Sequence, residues 1–267
     1  MKRIAPLLAT TAALALALSG CGSSTPNGST EEAGTSALQK VKDAGVLTVG
    51  TEGTYRPFSY NEGSELTGYD VEVIKAVGEE LGVEVEFQQT QWDAIFAGLD
   101  AGRFDVIANQ VAINPEREAK YLFSEPYTVS TGVIVTKSDN TDITSFDSLK
   151  GKKTAQSLTS NYYETAKDAG ATVEPVEGWA QAVTLLKQGR VDATVNDKLT
   201  FLDAQKTNPD DSIKIAAEAE EETDSAVALR KDATDLQEAI NQALETLRAD
   251  GELAKISEKY FGEDISK

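Results

Sequence analysis

The sequence has no histidine and a single cysteine, Cys21, so any chemistry it performs rests on carboxylates, hydroxyls or lysines. The commonest general base and transition-metal ligand is missing, and one thiol makes neither a thiolate cluster nor an internal disulfide. Imidazole- and thiolate-based metal sites and catalysis are therefore not expected. Taken singly, the polar residues beside structural breaks have ordinary readings. Thr159, Ser160 and Asn161 precede a helical pattern, where free N–H groups and the positive dipole end favour an anion, although Ser160 also suits a plain cap. Asp197 closes the strand-like Thr194-Val195-Asn196 and stands where it could cap the helix from Lys198, whereas Asp192 falls at the start of that strand. On their own, Arg117 reads as a surface arginine, Glu52 as a turn carboxylate, and Tyr55 and Trp92 as core aromatics.

These residues must be positioned by a chain of 267 residues with 44 acidic and 25 basic side chains, a net charge of −19 that argues against a nucleic-acid partner. Apolar residues at 40% and charged ones at 26% are ordinary globular usage, enough to bury a core in one or two domains. From Leu38 onward, short β-type runs alternate with helical patterns, the signature of α/β units around mainly parallel sheets. Strands are expected at 46–50, 83–87, 106–108 and 132–136, and helices at 69–81 and 92–101. A second set follows, with strands at 152–156, 172–174 and 193–195 and helices at 160–169, 179–188 and 198–206. An extended return at 225–229 and helices at 234–249 and 253–260 then pack back on the first set. The expected organisation is one lobe of residues 38–135 and 226–267 and another of 136–225, joined by two extended hinge crossings, with a ligand cleft between strand ends.

The first twenty residues read as an export signal: Lys2 and Arg3 are positive, and the apolar run over residues 4–18 is too short to span a bilayer comfortably. Leu18-Ser19-Gly20-Cys21 resembles the lipobox of bacterial lipoproteins, which implies cleavage before Cys21 and its acylation, with palmitate among the acyl chains. The other reading is a secreted protein with a stray cysteine. Residues 21–37, rich in Gly, Ser, Thr and Glu, are expected to be a flexible tether.

Gly50-Thr51-Glu52-Gly53-Thr54-Tyr55-Arg56-Pro57-Phe58 followed by Gly68-Tyr69-Asp70-Val71-Glu72 resembles the opening of polar amino-acid-binding proteins of ABC importers. Trp92-Asp93, Arg103-Phe104-Asp105-Val106, Asn109-Gln110-Val111-Ala112-Ile113 with Glu116-Arg117, and Phe123-Ser124-Glu125-Pro126-Tyr127 continue it in order, and Val191-Asp192-Ala193 extends it into the second lobe. Within the family, Glu52-Gly53-Thr54-Tyr55, Asn109-Gln110-Val111 and Asn161-Tyr162 are most similar to the cystine-binding branch.

The resemblance implies a two-lobed α/β fold of the type II periplasmic-binding-protein kind and a set of ligand contacts. Arg117 would clamp the ligand carboxylate with its planar fork, helped by N–H groups near Ala112, where many relatives carry a hydroxyl, and by Ser160 and Asn161. Asp197 would pair the ammonium, Tyr55 and Trp92 would flank the side chain, and Asn109 and Gln110 would line the site. Glu52 would face the distal end, where cystine carries a second ammonium. The implied protein is an extracytoplasmic, membrane-anchored monomer that captures L-cystine or a related polar amino acid, with glutamine or a cationic amino acid as the alternative ligand, and passes it to ABC permease subunits. Two rivals share the architecture. A prephenate-type dehydratase would use carboxylates such as Glu52 as acid or base, and a receptor sensory domain would need a transmembrane helix after the fold, which the sequence, ending at Lys267, does not supply.

Overall fold

The protein is described by a computed structural model over residues 36–266. The export signal, Cys21 and residues 21–35 of the tether lie outside the described residues. Helix α1 (Ala37–Ala44) opens the fold, started by Ser36, whose hydroxyl accepts from the Gln39 N–H, and stopped by Gly45 at φ 70°. The first lobe continues with β1 (Val46–Thr51), a small antiparallel sheet of β2 (Thr54–Tyr55), β3 (Ser59–Glu62) and β4 (Glu65–Thr67), then α2 (Tyr69–Leu81) and β5 (Glu84–Gln89). It proceeds through α3 (Trp92–Asp100), β6 (Val106–Ala112), the short α4 (Pro115–Glu118), β7 (Tyr121–Phe123) and β8 (Thr128–Lys137). The second lobe holds β9 (Lys153–Gln156), α5 (Asn161–Asp168), β10 (Thr172–Pro175), α6 (Trp179–Lys187), β11 (Ala193–Asp197) and α7 (Lys198–Thr207). The long β12 (Ile213–Arg230) returns to the first lobe, where α8 (Thr234–Ala249) and α9 (Glu252–Phe261) complete it.

Side-chain periodicity explains these elements. On α2, Val71, Ile74, Val77 and Leu81 are buried at helical spacing, and Gly82 at φ 68° turns the chain out with its N–H bonded to the Glu79 and Gly78 carbonyls. Every residue of β6 is buried, as a strand covered on both faces requires. The strands form one continuous sheet in the order β10-β9-β11-β8-β12-β6-β1-β5, with β7 also paired to β12. β1 runs parallel to β5 and β6, and β9 parallel to β10 and β11, but β8 and β12 are antiparallel to their neighbours, so the sheet is mixed rather than mainly parallel.

β8 and β12 are the two crossings between lobes. Thr128 to Thr131 lie opposite Ser225 to Glu222, while Gly132 to Thr136 pair with β11. Val133, Ile134 and Val135 pack in the second lobe's cores, although the expected boundary gave them to the first; β8 keeps β12 beside it throughout and gains β11 on its other edge from Gly132. The first lobe's larger core joins Leu47, Val49, Ile74 and Val77 to Leu236, Ile240, Leu244 and Leu247 of α8, so the last two helices pack where expected.

Candidate ligand-binding cleft

A cavity of about 740 Å³, counting the space at its mouth, lies between the lobes at the ends of β6, β9 and β11. Glu52, Tyr55, Trp92, Asn109, Gln110 and Ala112 line it from the first lobe, and Ser160, Asn161 and Asp197 from the second.

Glu52 follows β1 and is held by Asn109 of the adjacent β6: the Asn109 amide donates to Glu52 Oε2 at 2.7 Å. Asn109 Oδ1 in turn accepts from the Glu52 N–H at 2.8 Å and from the hydroxyls of Thr51 and Ser59, each at 2.9 Å. Burial pushes the Glu52 carboxyl up to about 7, against the lowering by Asn109, and the charges of Asp93 and Glu177 push it the same way. Asp197 ends β11 and caps α7, accepting from the Leu199 N–H at 2.7 Å, and it also accepts from Ser130 Oγ at 2.9 Å and Tyr162 OH at 3.3 Å. Its carboxyl is pushed up to about 6 by burial, which these bonds partly offset. Capping and lining the cavity are thus compatible roles for one side chain. Asp192 lies at the far end of the strand and accepts from the Lys153 N–H.

Gln110 occupies left-handed backbone space at φ 50°, unusual for a side-chain-bearing residue. Asp70, at the start of α2, holds it there by accepting from its N–H at 2.7 Å and from its Nε2 at 2.6 Å. Asp70 is itself fully enclosed, and burial raises its carboxyl to about 7 against those bonds. Ser160 caps α5 by accepting from the Tyr163 N–H at 3.1 Å.

Arg117 departs from the expected arrangement. Its side chain is buried but lines a recess beside the cavity with Leu158 and Thr159, and Ser160 lines both spaces. The physical reason is its bonding: Nη1 donates to the Ala112 carbonyl at 2.9 Å and Nη2 to the Thr159 carbonyl at 3.0 Å, with the guanidinium carbon 5.4 Å from the Trp92 and Phe96 ring centres. Arg117 thereby ties the two lobes together within the cleft wall. Burial lowers its pKa to about 10, so it stays charged at neutral pH.

Sequence reasoning missed several lining residues, among them Gln156, Tyr162, Glu177, Trp179 and Asn196. Two of them carried a signal: Gln156 is the last residue of β9 and Asn196 immediately precedes Asp197, both at strand ends that face the cleft. The lobes also touch directly, at the cavity wall and beyond it. Tyr55 OH donates to Asn196 Oδ1 at 3.2 Å, Arg56 Nε meets Asp203 at 3.2 Å, and Asp93 Oδ1 accepts from the Thr159 hydroxyl at 2.7 Å and its N–H at 3.1 Å.

A cleft of this kind between two lobes of one mixed sheet accompanies a sequence match: the profile of the bacterial extracellular solute-binding proteins, family 3, matches residues 47–263. The chain belongs to that family. It is 51% identical to the L-cystine-binding protein TcyA of Bacillus subtilis, with 94% of each chain covered. Among solved structures, it is 50% identical to the L-cystine solute receptor of Neisseria gonorrhoeae in its unliganded open conformation, with a TM-score of 0.59 and 87% of this chain and 99% of that one covered. An ancestral arginine-binding protein bound to arginine is only 39% identical yet superposes better, with a TM-score of 0.77 and 82% and 99% covered. The more similar sequence in an open form superposes less well than a more distant one with ligand, and the inter-lobe bonds give the reason: this family 3 chain has its lobes closed. Among the described residues no helix is long and apolar enough to cross a membrane.

Proposed function

We propose that the protein is the ligand-capturing component of an ABC amino-acid importer and that its ligand is L-cystine. The observation that carries this is the enclosed cleft with a buried carboxylate from each lobe, Asp197 and Glu52, facing one cavity. Two ammonium groups on one ligand would satisfy both, and the cystine-binding relatives support that choice. In this reading Asp197 pairs the α-ammonium, while the α-carboxylate sits against the start of α5 at Ser160 and Asn161. Arg117 meets the same carboxylate with hydrogens left over after its bonds to Ala112 and Thr159, since a guanidinium carries five. Tyr55 and Trp92 flank the ligand chain, and Asn109, Gln110 and Ala112 shape the first-lobe wall.

The protein works without altering its ligand: closed lobes present one surface to the permease subunits, and the ligand stabilises closure by bridging them. Cys21 carries the acyl anchor after removal of residues 1–20, the tether spaces a monomeric binding protein from the outer face of the cytoplasmic membrane, and no enzyme activity accompanies binding. A cationic amino acid is the second reading, favoured by the same two carboxylates and by the arginine-bound relative. Calorimetry against the standard amino acids and L-cystine tests both: L-cystine should give the tightest binding, and absence of heat with it rejects the first reading. Mass spectrometry of Cys21 tests the anchor, and measurable turnover of prephenate would refute a binding-only role.

A further inference from the structure

Among the described residues, Gln110 is the one residue other than glycine with a positive φ, and the sheet around it is irregular. Ile107 faces Ala228 and Val111 faces Ala226, so Ala108, Asn109 and Gln110 of β6 stand against the single residue Val227 of β12. Val227 turns its own backbone elsewhere: its N–H donates to Ser124 Oγ at 3.0 Å and its carbonyl accepts from the Ser124 N–H at 2.9 Å. β6 is therefore bulged at Asn109 and Gln110, which line the cavity, and a bulge re-aims the side chains around it. The Asn109 amide donates to Glu52, and two residues past the kink the Ala112 carbonyl accepts from Arg117 Nη1.

The group that holds the bulge stands behind this wall. Asp70 does not line the cavity and is 1% exposed. Its Oδ2 accepts from the Gln110 N–H and its Oδ1 from Gln110 Nε2, which also donates to Thr128 Oγ1 at 3.0 Å, at the root of the β8 crossing. Two donors from one residue need an acceptor at each oxygen, which an ionised carboxylate supplies and an amide of the same shape does not. Gln110 Oε1 is buried without a hydrogen-bond partner, so the side chain is oriented by what its nitrogen holds. Left-handed backbone is costly for a residue with a Cβ and persists where its surroundings impose it.

We propose that Asp70 is a positioning residue for ligand capture: its carboxylate, outside the cavity, holds Gln110 in the left-handed kink that aims Asn109 at Glu52 and the Ala112 carbonyl at Arg117. This rests on the cleft being the capture site and adds the residue that shapes its first-lobe wall. The titratable groups whose charges reach Asp70 are Tyr69 of its own helix, Tyr127, Tyr55 of β2 and Asp197 of β11, and burial raises its carboxyl to about 7. The holding bonds are complete at pH 8 and weakened at pH 5, where the carboxyl is protonated.

The test is calorimetry of Asp70→Asn with L-cystine, or with L-arginine if L-cystine gives no heat. At pH 8 the variant should bind about tenfold or more weakly than the wild type, and the deficit should shrink to within about threefold at pH 5, where the wild-type carboxyl is itself neutral. A residue that only stabilised the fold would shift the melting temperature and leave the affinity of the folded protein unchanged at both pH values. A second pair keeps the idea refutable should Asp70→Asn fail to fold. Gln110→Gly and Gln110→Ala lose the same amide, but only glycine takes φ 50° freely, so the glycine variant should bind about threefold or more tightly than the alanine one. Affinity of Asp70→Asn within about twofold of wild type at pH 8, a deficit as large at pH 5 as at pH 8, or equal affinities in the two Gln110 variants overturns the positioning role and leaves capture intact. Heat with neither amino acid in the wild type overturns the capture reading and this role together.

Discussion

Glu52, Asp70 and Asp197 share one physical situation: each is enclosed, bonded by neutral donors, and raised well above the ordinary carboxylate range, to about 7, about 7 and about 6. An acid whose folded pKa is raised binds more protons folded than unfolded. Its stabilising contribution is therefore full below the unfolded pKa and is lost as pH rises through the folded one. The unliganded protein should melt at progressively lower temperature as pH is taken from about 5 to 8. Ligand affinity should run the opposite way, because Glu52 and Asp197 pair an ammonium only when ionised; it should fall at least about tenfold on acidification across the same range. Melting scans and calorimetry at matched pH values check both signs, and parallel trends would contradict this account. Arg117 belongs to the same scale. Arg117→Ala should reduce affinity more than about a hundredfold, because it removes a charged fork that also ties Ala112 to Thr159, and Arg117→Lys should recover only part. Retention of affinity within about threefold in calorimetry would remove Arg117 from the carboxylate site.

Elements position these side chains, and some of that positioning depends on single backbone sites. Gly68 precedes α2, and so Asp70, with φ 129°; a Cβ there would stand 2.2 Å from the Phe58 carbonyl oxygen. Gly68→Ala should cost about 2 kcal/mol or more in urea unfolding, since both the dihedral and the space are wrong for a side chain. Much at this scale was legible in the sequence. Helices 69–81 and 234–249 match α2 and α8, the first because apolar residues at helical spacing stop at Gly82. The misses have physical causes. β12 was expected only at 225–229, but it extends back to Ile213 through a stretch rich in Ala and Glu, residues of poor strand preference that pair because β8 lies alongside. β2, β3 and β4 are too short to show alternation, and α1 lies where a tether was expected to end. At the site, Glu52, Tyr55, Trp92 and Asp197 stood out in the sequence, whereas Glu177 and Trp179, which also line the cavity, did not. Gln156 carried only the weak signal of closing a short strand, and the recess position of Arg117 depends on carbonyls contributed by both lobes.

Among the described residues the two lobes share one large sheet through β8 and β12, and they meet at Arg56–Asp203, Tyr55–Asn196 and Asp93–Thr159. Contacts made only on closure add to apparent affinity by raising the population that can hold ligand. Asp93→Ala loses both bonds to Thr159 and also removes a charge felt at Glu52, so its effect is read at pH 8, above the raised Glu52 pKa, where binding should weaken about three- to tenfold. Small-angle scattering should still find a compact form at saturating ligand, and unchanged affinity would mean that this contact is indifferent to closure. The path of the chain carries one more consequence. Thr131 and Glu222 face each other across the two crossings, so everything between them is an uninterrupted stretch inserted into the first lobe. The core of that first lobe is assembled from Leu47 and Val49 near its beginning and from Leu244 and Leu247 near its end. During synthesis, the inserted half has all its residues in hand before the other half does, and the part of the protein made earliest is the part that must wait longest to become native.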